Sequence, residues 1–276
     1  MKNYKVNLAE EYGLQGGNLE CILLEKPWDA GHEDWKRPAV IVVPGGGYGY
    51  ASKREADCVA TRFLAAGYQA FVLTYLCQPD GVHYPEQLLE LASSVDYVRK
   101  HAEEMNVNPD EIFAIGFSAG GHLVANLAVD HQNVSQKAGR DLDCKPTAVG
   151  LCYPVISKIH GHQGSYQNLL DGYTEEAKAE LMKVLNLDEM VNEQTPPAFL
   201  WATAKDTCVP PDNALRYAFA LDKQAIDYEL HIYPCGNHGL GTCDFETNEV
   251  NPAIVRNQRW VFDCAEFFRM YVKETF

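Results

Sequence analysis

The chain is poor in positive charge. Lysine and arginine number 23 against 38 aspartates and glutamates among 276 residues, a formal net charge of −15, and the excess is not gathered into a tail. A surface of that sign repels a polyphosphate, so no nucleic-acid partner is expected. Long apolar runs are missing too. Nowhere do about 18 uninterrupted apolar residues occur, and the segment Met1 to Glu10 lacks the apolar core of a secretory signal. The expected compartment is the cytoplasm, with no membrane partner. Also absent are a CxxC pair, a G-K-[ST] ending, a G-x-G-x-x-G spacing, an internal repeat and a low-complexity linker. The first argues against zinc, and the next two against a phosphate loop. The nine cysteines are odd in number and scattered from Cys21 to Cys264, so they read as reduced thiols, most of them small core hydrophobes.

What is present is an alternation. With 46% apolar residues the chain can bury a large core, and residues 1–276 read as a single domain. Apolar, β-rich runs span Ala39 to Val43, Ala70 to Tyr75, Ile112 to Gly116, Ala148 to Tyr153, Ala198 to Ala202 and Tyr228 to Tyr233. Helical patterns lie between them, the clearest from Glu86 to Met105, with Leu88, Leu91, Ala92, Val95, Val98, Ala102 and Met105 on one face. This is the signature of a mostly parallel sheet covered by helices on both faces. Leu19 to Leu24 reads as an antiparallel edge strand, and Ala253 to Val272 as a long closing helix. Residues 155–197 interrupt the alternation. They read as a cap-like insertion over the carboxyl edge of the sheet, where ligands of such folds bind, with a short helix at Glu175 to Leu185.

The chemistry is carried by Gly116-Phe117-Ser118-Ala119-Gly120, a G-x-S-x-G motif between an apolar strand and a helical run. A serine on so sharp a turn is lifted clear of the sheet, and Gly116 and Gly120 leave no Cβ to clash where strand and helix meet. Ser118 is the candidate nucleophile, and the Ala119 N–H at the helix start can stabilise an oxyanion. A second signal is independent of the first: strand Ala39 to Val43 runs into Pro44-Gly45-Gly46-Gly47-Tyr48. Such a loop lets backbone amides approach a tetrahedral intermediate, so Gly46 and Gly47 are candidates for the rest of the oxyanion hole.

A hydroxyl at its ordinary pKa needs a base, and the base an orienting acid. After a G-x-S-x-G elbow these follow in the order acid, histidine, each in a loop behind a later strand. Asp206 follows the run ending at Ala202, and His238 follows the run ending at Tyr233. They complete the expected triad. Among rivals, Asp212 reads as a helix N-cap, His122 as a packing or supporting residue on the elbow helix, and His231 lies inside a strand. His160 and His162 lack a neighbouring ligand in the sequence, so no metal is expected.

Taken together, Pro44-Gly-Gly-Gly-Tyr48, Gly116-Phe-Ser-Ala-Gly120-Gly121-His122, Thr207-Cys-Val-Pro210 after Asp206, and Gly236-Asn-His238-Gly239 resemble the acetyl-xylan-esterase-like branch of the α/β-hydrolases. The likeness runs from roughly Val40 to Phe268. It implies an α/β-hydrolase fold with a short cap insertion and a cofactor-free serine esterase that deacylates sugars or sugar-like alcohols. One departure is Pro44, where many members of the branch carry histidine; the backbone donors are unaffected. Two other readings stay open: a peptidase or amidase on the same fold, and a non-catalytic binding protein on a hydrolase scaffold. The expected partner is a small-molecule ester with an acetyl-type acyl group. The oligomeric state is left open, a homo-oligomer included.

Overall fold

The structure is a computed structural model that describes residues 1–26, 35–248 and 251–273. The chain begins with β1 (Lys2–Asn7), α1 (Leu8–Tyr12), β2 (Asn18–Leu23) and β3 (Arg37–Val43). It continues with α2 (Asp57–Ala65), β4 (Gln69–Thr74), α3 (Glu86–Lys100), β5 (Val107–Phe117), α4 (Ala119–Ala138) and β6 (Val149–Cys152). Then come α5 (Gln163–Leu169), α6 (Glu175–Val184), β7 (Ala198–Thr203), α7 (Asp212–Lys223), β8 (Tyr228–Tyr233), α8 (Pro252–Val255) and α9 (Arg259–Arg269). The described strands form one eight-stranded sheet in the order β1-β2-β4-β3-β5-β6-β7-β8. The pairs from β4 to β8 are parallel, and β1 and β2 join antiparallel. This is the expected α/β-hydrolase architecture.

Both sheet faces are covered, which is why the inner strands read as continuous apolar runs. On β3, Ala39, Ile41 and Val43 pack with Leu91 and Val95 of α3, Leu127 of α4 and Tyr217 of α7. Val40 and Val42 face the other way, into a core shared with Phe63 of α2 and with Trp260 and Phe268 of α9. There Phe113 of β5 stacks on Phe268 with ring centroids 4.5 Å apart. Each such buried ring contributes about 1.5–3 kcal/mol, so α9 is held chiefly by its aromatic face. All nine cysteines are free, and six of them are buried. No helix among the described residues is long and apolar enough to cross a membrane.

Several boundaries differ from expectation. The strand at Leu19 to Leu24 is antiparallel, as β2, yet it is not the edge: β1 lies outside it. Only Val6 of β1 is buried, so the strand offers no apolar alternation, and Lys2 and Lys5 sit where charge discourages further pairing. Helix α3 stops at Lys100, before the expected Met105, although Ala102 and Met105 remain buried in turns beyond it. The closing helix is broken into α8, a single 3₁₀ turn at Arg256–Gln258, and α9. Within residues 155–197, α6 falls on the expected helix, and α5 forms where the sequence looks like polar loop.

Candidate active site

Strand β5 ends at Phe117 and α4 begins at Ala119, so Ser118 alone makes the turn, at φ 52 and ψ −116. A side-chain-bearing residue there costs about 1–3 kcal/mol and persists only where its surroundings dictate it. They do: the Ser118 N–H donates to Cys152, and its carbonyl accepts from His122 and Val155. The flanking glycines are required by contact. A Cβ on Gly116 would lie 2.2 Å from the Gly120 oxygen, and one on Gly120 would lie 2.2 Å from the Val43 oxygen. The elbow helix thus sits directly on the end of β3, which brings the glycine loop beside the serine.

The three residues singled out as nucleophile, base and acid come together. His238 Nε2 lies 2.7 Å from Ser118 Oγ, and His238 Nδ1 lies 2.6 Å from Asp206 Oδ2. Asp206 Oδ1 accepts the N–H groups of Cys208 and Val209, both at 2.9 Å, so this buried carboxylate is fully engaged. Because the carboxylate only accepts, Nδ1 carries the proton, and Nε2 is left to accept from the serine hydroxyl. The histidine loop is tied from several sides. Thr203 Oγ1 donates to Gly236 at 2.9 Å, Asn257 Nδ2 to Cys235 at 2.8 Å, and Arg54 Nη1 to Gly239 at 2.9 Å.

Gly46 and Gly47 line the same cavity as Ser118 and His238, an open volume of about 590 Å³. Both have positive φ, and a Cβ on Gly46 would fall 1.9 Å from the Tyr50 oxygen, so glycine is required there. Ala119, as the first residue of α4, has an N–H with no partner one turn back. The insertion reaches this loop: Asn168 of α5 donates to the Gly47 carbonyl at 2.9 Å.

His122 is fully buried and joins three segments. Its Nε2 faces the Leu185 carbonyl at 3.2 Å, which can only accept, so Nδ1 accepts from the Tyr48 hydroxyl at 2.8 Å. Elbow helix, glycine loop and insertion are thereby linked through one neutral ring. Burial pushes the His122 imidazole down to about 4. In an unfolded chain it titrates near about 6.5, so over the interval between the two values the folded state binds fewer protons. The contribution is complete above the unfolded value and falls as the pH drops toward the folded one, by up to about 3 kcal/mol. His122→Phe is therefore expected to be less stable at neutral pH but to lose less stability between about pH 7 and about pH 5 than the parent, as read from urea midpoints. Glu90, raised to about 8 by burial, works in the opposite sense, but it is common to both proteins and cancels in the comparison. Equal slopes would refute the role given to His122.

Two expectations about rival residues need correction. Asp212 is the first residue of α7 rather than its N-cap, which is Pro211; its carboxylate binds Arg216 Nε at 2.7 Å and His160 Nδ1. His160 therefore does have a carboxylate neighbour, brought from 52 positions away by the fold. His162 caps α5 by accepting the Ser165 N–H, and it lines the same cavity as Ser118 and His238. Asn168, on the polar opening of the insertion, lines it too, and the sequence reading missed Glu55 and Tyr50. Neither carries a local motif, and only the tertiary approach of the segment around the 3₁₀ turn at Lys53–Glu55 brings them in.

The chain is 33% identical over 78% of its length to endo-1,4-beta-xylanase B of Butyrivibrio fibrisolvens, covering 34% of that protein. It is 29% identical over 87% of its length to an acetylxylan esterase of Xylanibacter ruminicola, covering 46% of it. The chain thus spans between a third and half of these curated relatives. Among solved structures, an acetyl ester-xyloside bifunctional hydrolase from Caldicellulosiruptor lactoaceticus superposes with a TM-score of 0.78 at 33% identity, covering 92% of this chain and 88% of that one. The BD-FAE family model matches residues 29–221, and with this fold and these motifs the chain belongs to the BD-FAE family of acetyl-xylan-esterase-like α/β-hydrolases.

Proposed function

We propose that this chain is a serine carboxylic ester hydrolase that removes short acyl groups from hydroxylated, sugar-like alcohols. The observation that carries the reading is the hydrogen-bonded series Ser118–His238–Asp206 opening into a cavity walled by the glycine loop. His238 takes the Ser118 proton as Oγ attacks the ester carbonyl. The N–H groups of Ala119 and of Gly46 or Gly47 receive the oxyanion, and the protonated ring then returns its proton to the leaving alcohol. Water repeats the sequence on the acyl-enzyme. Side chains supply every proton transfer, so the reading calls for no cofactor.

The substrate class follows from the lining. Gly46, Gly47, Ser52, Lys53, His162 and Asn168 are polar or small, and no Leu, Ile, Val, Met or Phe among the described residues lines the cavity. Tyr50 stands at the mouth with 65% of its surface exposed, an aromatic face suited to stacking on a sugar ring. The acetylxylan esterase relative and the acetyl ester-xyloside hydrolase support the same class. Residues 155–197, through Asn168 and His162, form its cap.

Each acyl methylene buried against apolar wall is worth about 0.8 kcal/mol, so an enzyme with an apolar tunnel gains several-fold in kcat/KM per carbon. Among the described residues no such wall lines the cavity. A series of aryl esters from acetyl to octanoyl is expected to peak at acetyl or propionyl and to fall toward octanoyl, with acetylated xylosides also turned over. A continuous rise toward octanoyl would refute the short-acyl reading.

A further inference from the structure

One buried carboxylate on the cavity wall has no part in the chemistry given above. Glu55 is 3% exposed, and it lines the cavity with Ser118 and His238. A carboxylate taken out of water costs several kcal/mol unless its oxygens are used, on the order of the penalties seen for unpaired buried charges. No lysine or arginine among the described residues makes an ion pair with it. Its partners are neutral donors. Oε2 accepts the Gly45 N–H at 2.9 Å, and Oε1 accepts the Tyr153 hydroxyl at 2.7 Å.

Those two bonds reach both halves of the site. Gly45 begins the loop whose next two residues, Gly46 and Gly47, face the oxyanion. The Tyr153 hydroxyl accepts the Gly241 N–H at 2.8 Å, three residues beyond His238. The same ring meets the His238 imidazole edge-on, with centroids 5.0 Å apart and planes at 68°. Tyr153 itself holds φ at 37, a strained value kept for a residue whose place is fixed by its contacts. A single side chain therefore links the oxyanion loop to the base loop, and it interacts electrostatically with His238.

We infer that Glu55 is a positioning residue for the hydrolytic reaction, fixing the Gly45–Gly47 loop directly and the His238 loop through Tyr153, and favouring the protonated imidazole as it forms. The inference rests on the triad reading given above. The groups facing His238 are Asp206 beyond β7, Ser118 on the elbow and Tyr153 beyond β6, while Arg54 sits against the Gly239 carbonyl. Glu55 is also within electrostatic reach of Arg54 and Tyr75. Burial raises its carboxyl, and the Tyr153 and Gly45 bonds and the His238 charge work against that rise.

Glu55→Gln keeps the shape and one acceptor oxygen but removes the charge, whereas Tyr153→Phe keeps the charge and cuts the link to Gly241. Glu55→Gln is expected to lower kcat by about 10- to 100-fold with KM within about twofold. Removing the negative charge makes the imidazole harder to protonate, so the acid limb of kcat/KM moves to lower pH. Tyr153→Phe is expected to lower kcat without moving the limb, and Glu55→Asp to restore the parental limb. A folded Glu55→Gln protein with parental kcat and an unmoved limb would overturn the proposal. If that variant does not fold, a folded Tyr153→Phe protein with parental kcat overturns it equally. Stoichiometric labelling of Ser118 by a fluorophosphonate in the parent tests the triad separately: full labelling beside unaffected variants refutes Glu55 alone, and no labelling refutes the triad.

Discussion

Ser118→Ala is expected to lower kcat for ester hydrolysis by at least about 10³-fold while leaving the protein folded. The substitution removes one hydroxyl, the atom 2.7 Å from His238 Nε2, and nothing else in the site. Alanine carries the same Cβ at the same φ of 52, so the strain of the elbow is neither relieved nor increased. The hydroxyl is not one of the bonds that hold the turn, because those run through the Ser118 backbone to Cys152, His122 and Val155. One rival must be met. Ser165 Oγ lies 3.0 Å from His162 Nδ1 at the edge of the same cavity, a second serine–histidine pair. There, however, His162 Nδ1 also faces the Ser165 N–H at 3.2 Å, as a helix cap, and no acidic side chain orients its ring in the described structure. A folded Ser118→Ala protein retaining more than about a tenth of parental activity would transfer the nucleophile to another residue. Circular dichroism and a thermal melt alongside the kinetics separate loss of chemistry from loss of fold.

How much of this was legible in the sequence depends on how local each feature is. The inner strands are buried on both faces, so they appear as short apolar runs ended by Gly or Pro, and β3, β4, β6, β7 and β8 lie close to where those runs fall, while β5 contains its run but begins earlier, at Val107. The elbow is legible because its constraint is contained in five residues: a strained serine and two glycines that approach neighbouring backbone within 2.2 Å. Asp206 and His238 are legible for a different reason, since in a parallel sheet the loops behind successive strands open at one edge. Strand β1 fails this test, being an edge strand exposed on nearly every residue, and so pushes β2 inward from its expected edge position. Helix α2, with Val59, Ala60, Phe63 and Leu64 buried on one face, is one of the helices that the alternation implies between β3 and β4.

Glu55 and Tyr153 are 98 positions apart, and Tyr48 meets His122 across 74. Neither pair has a spacing that periodicity can detect. What joins them is the topology: β3 and β5 are neighbours in the sheet although β4 lies between them in the chain, so the loops after both strands share one edge. The same crossover carries the glycine loop to the elbow. Long-range polar contacts of this kind belong to the assembled sheet, and they are the part of the site that only the fold reveals.

The second large effect is expected at the acid. Asp206→Asn preserves size and shape, yet it should lower kcat by about 10⁴-fold at neutral pH with little change in KM. The argument follows from the hydrogen bonds. Oδ1 accepts two backbone N–H groups, from Cys208 and Val209, so in the asparagine variant the carbonyl oxygen must occupy that position, since an amide nitrogen there would face two donors. The amide nitrogen then takes the place of Oδ2 and points its hydrogens at His238 Nδ1, 2.6 Å away in the parent. A neutral ring offered a donor at Nδ1 keeps its proton on Nε2. In that tautomer Nε2 cannot accept from Ser118, and the base is disabled without moving an atom of the backbone. Among the described residues no other carboxylate is placed to substitute: Asp212 is engaged by Arg216 and His160, and Glu55 by Gly45 and Tyr153. Steady-state kinetics on an acetyl ester, with the thermal midpoint as control for folding, provide the measurement. An asparagine variant within about tenfold of the parent would mean that Asp206 does not set the tautomer of His238, and the acid would have to be sought elsewhere in the site.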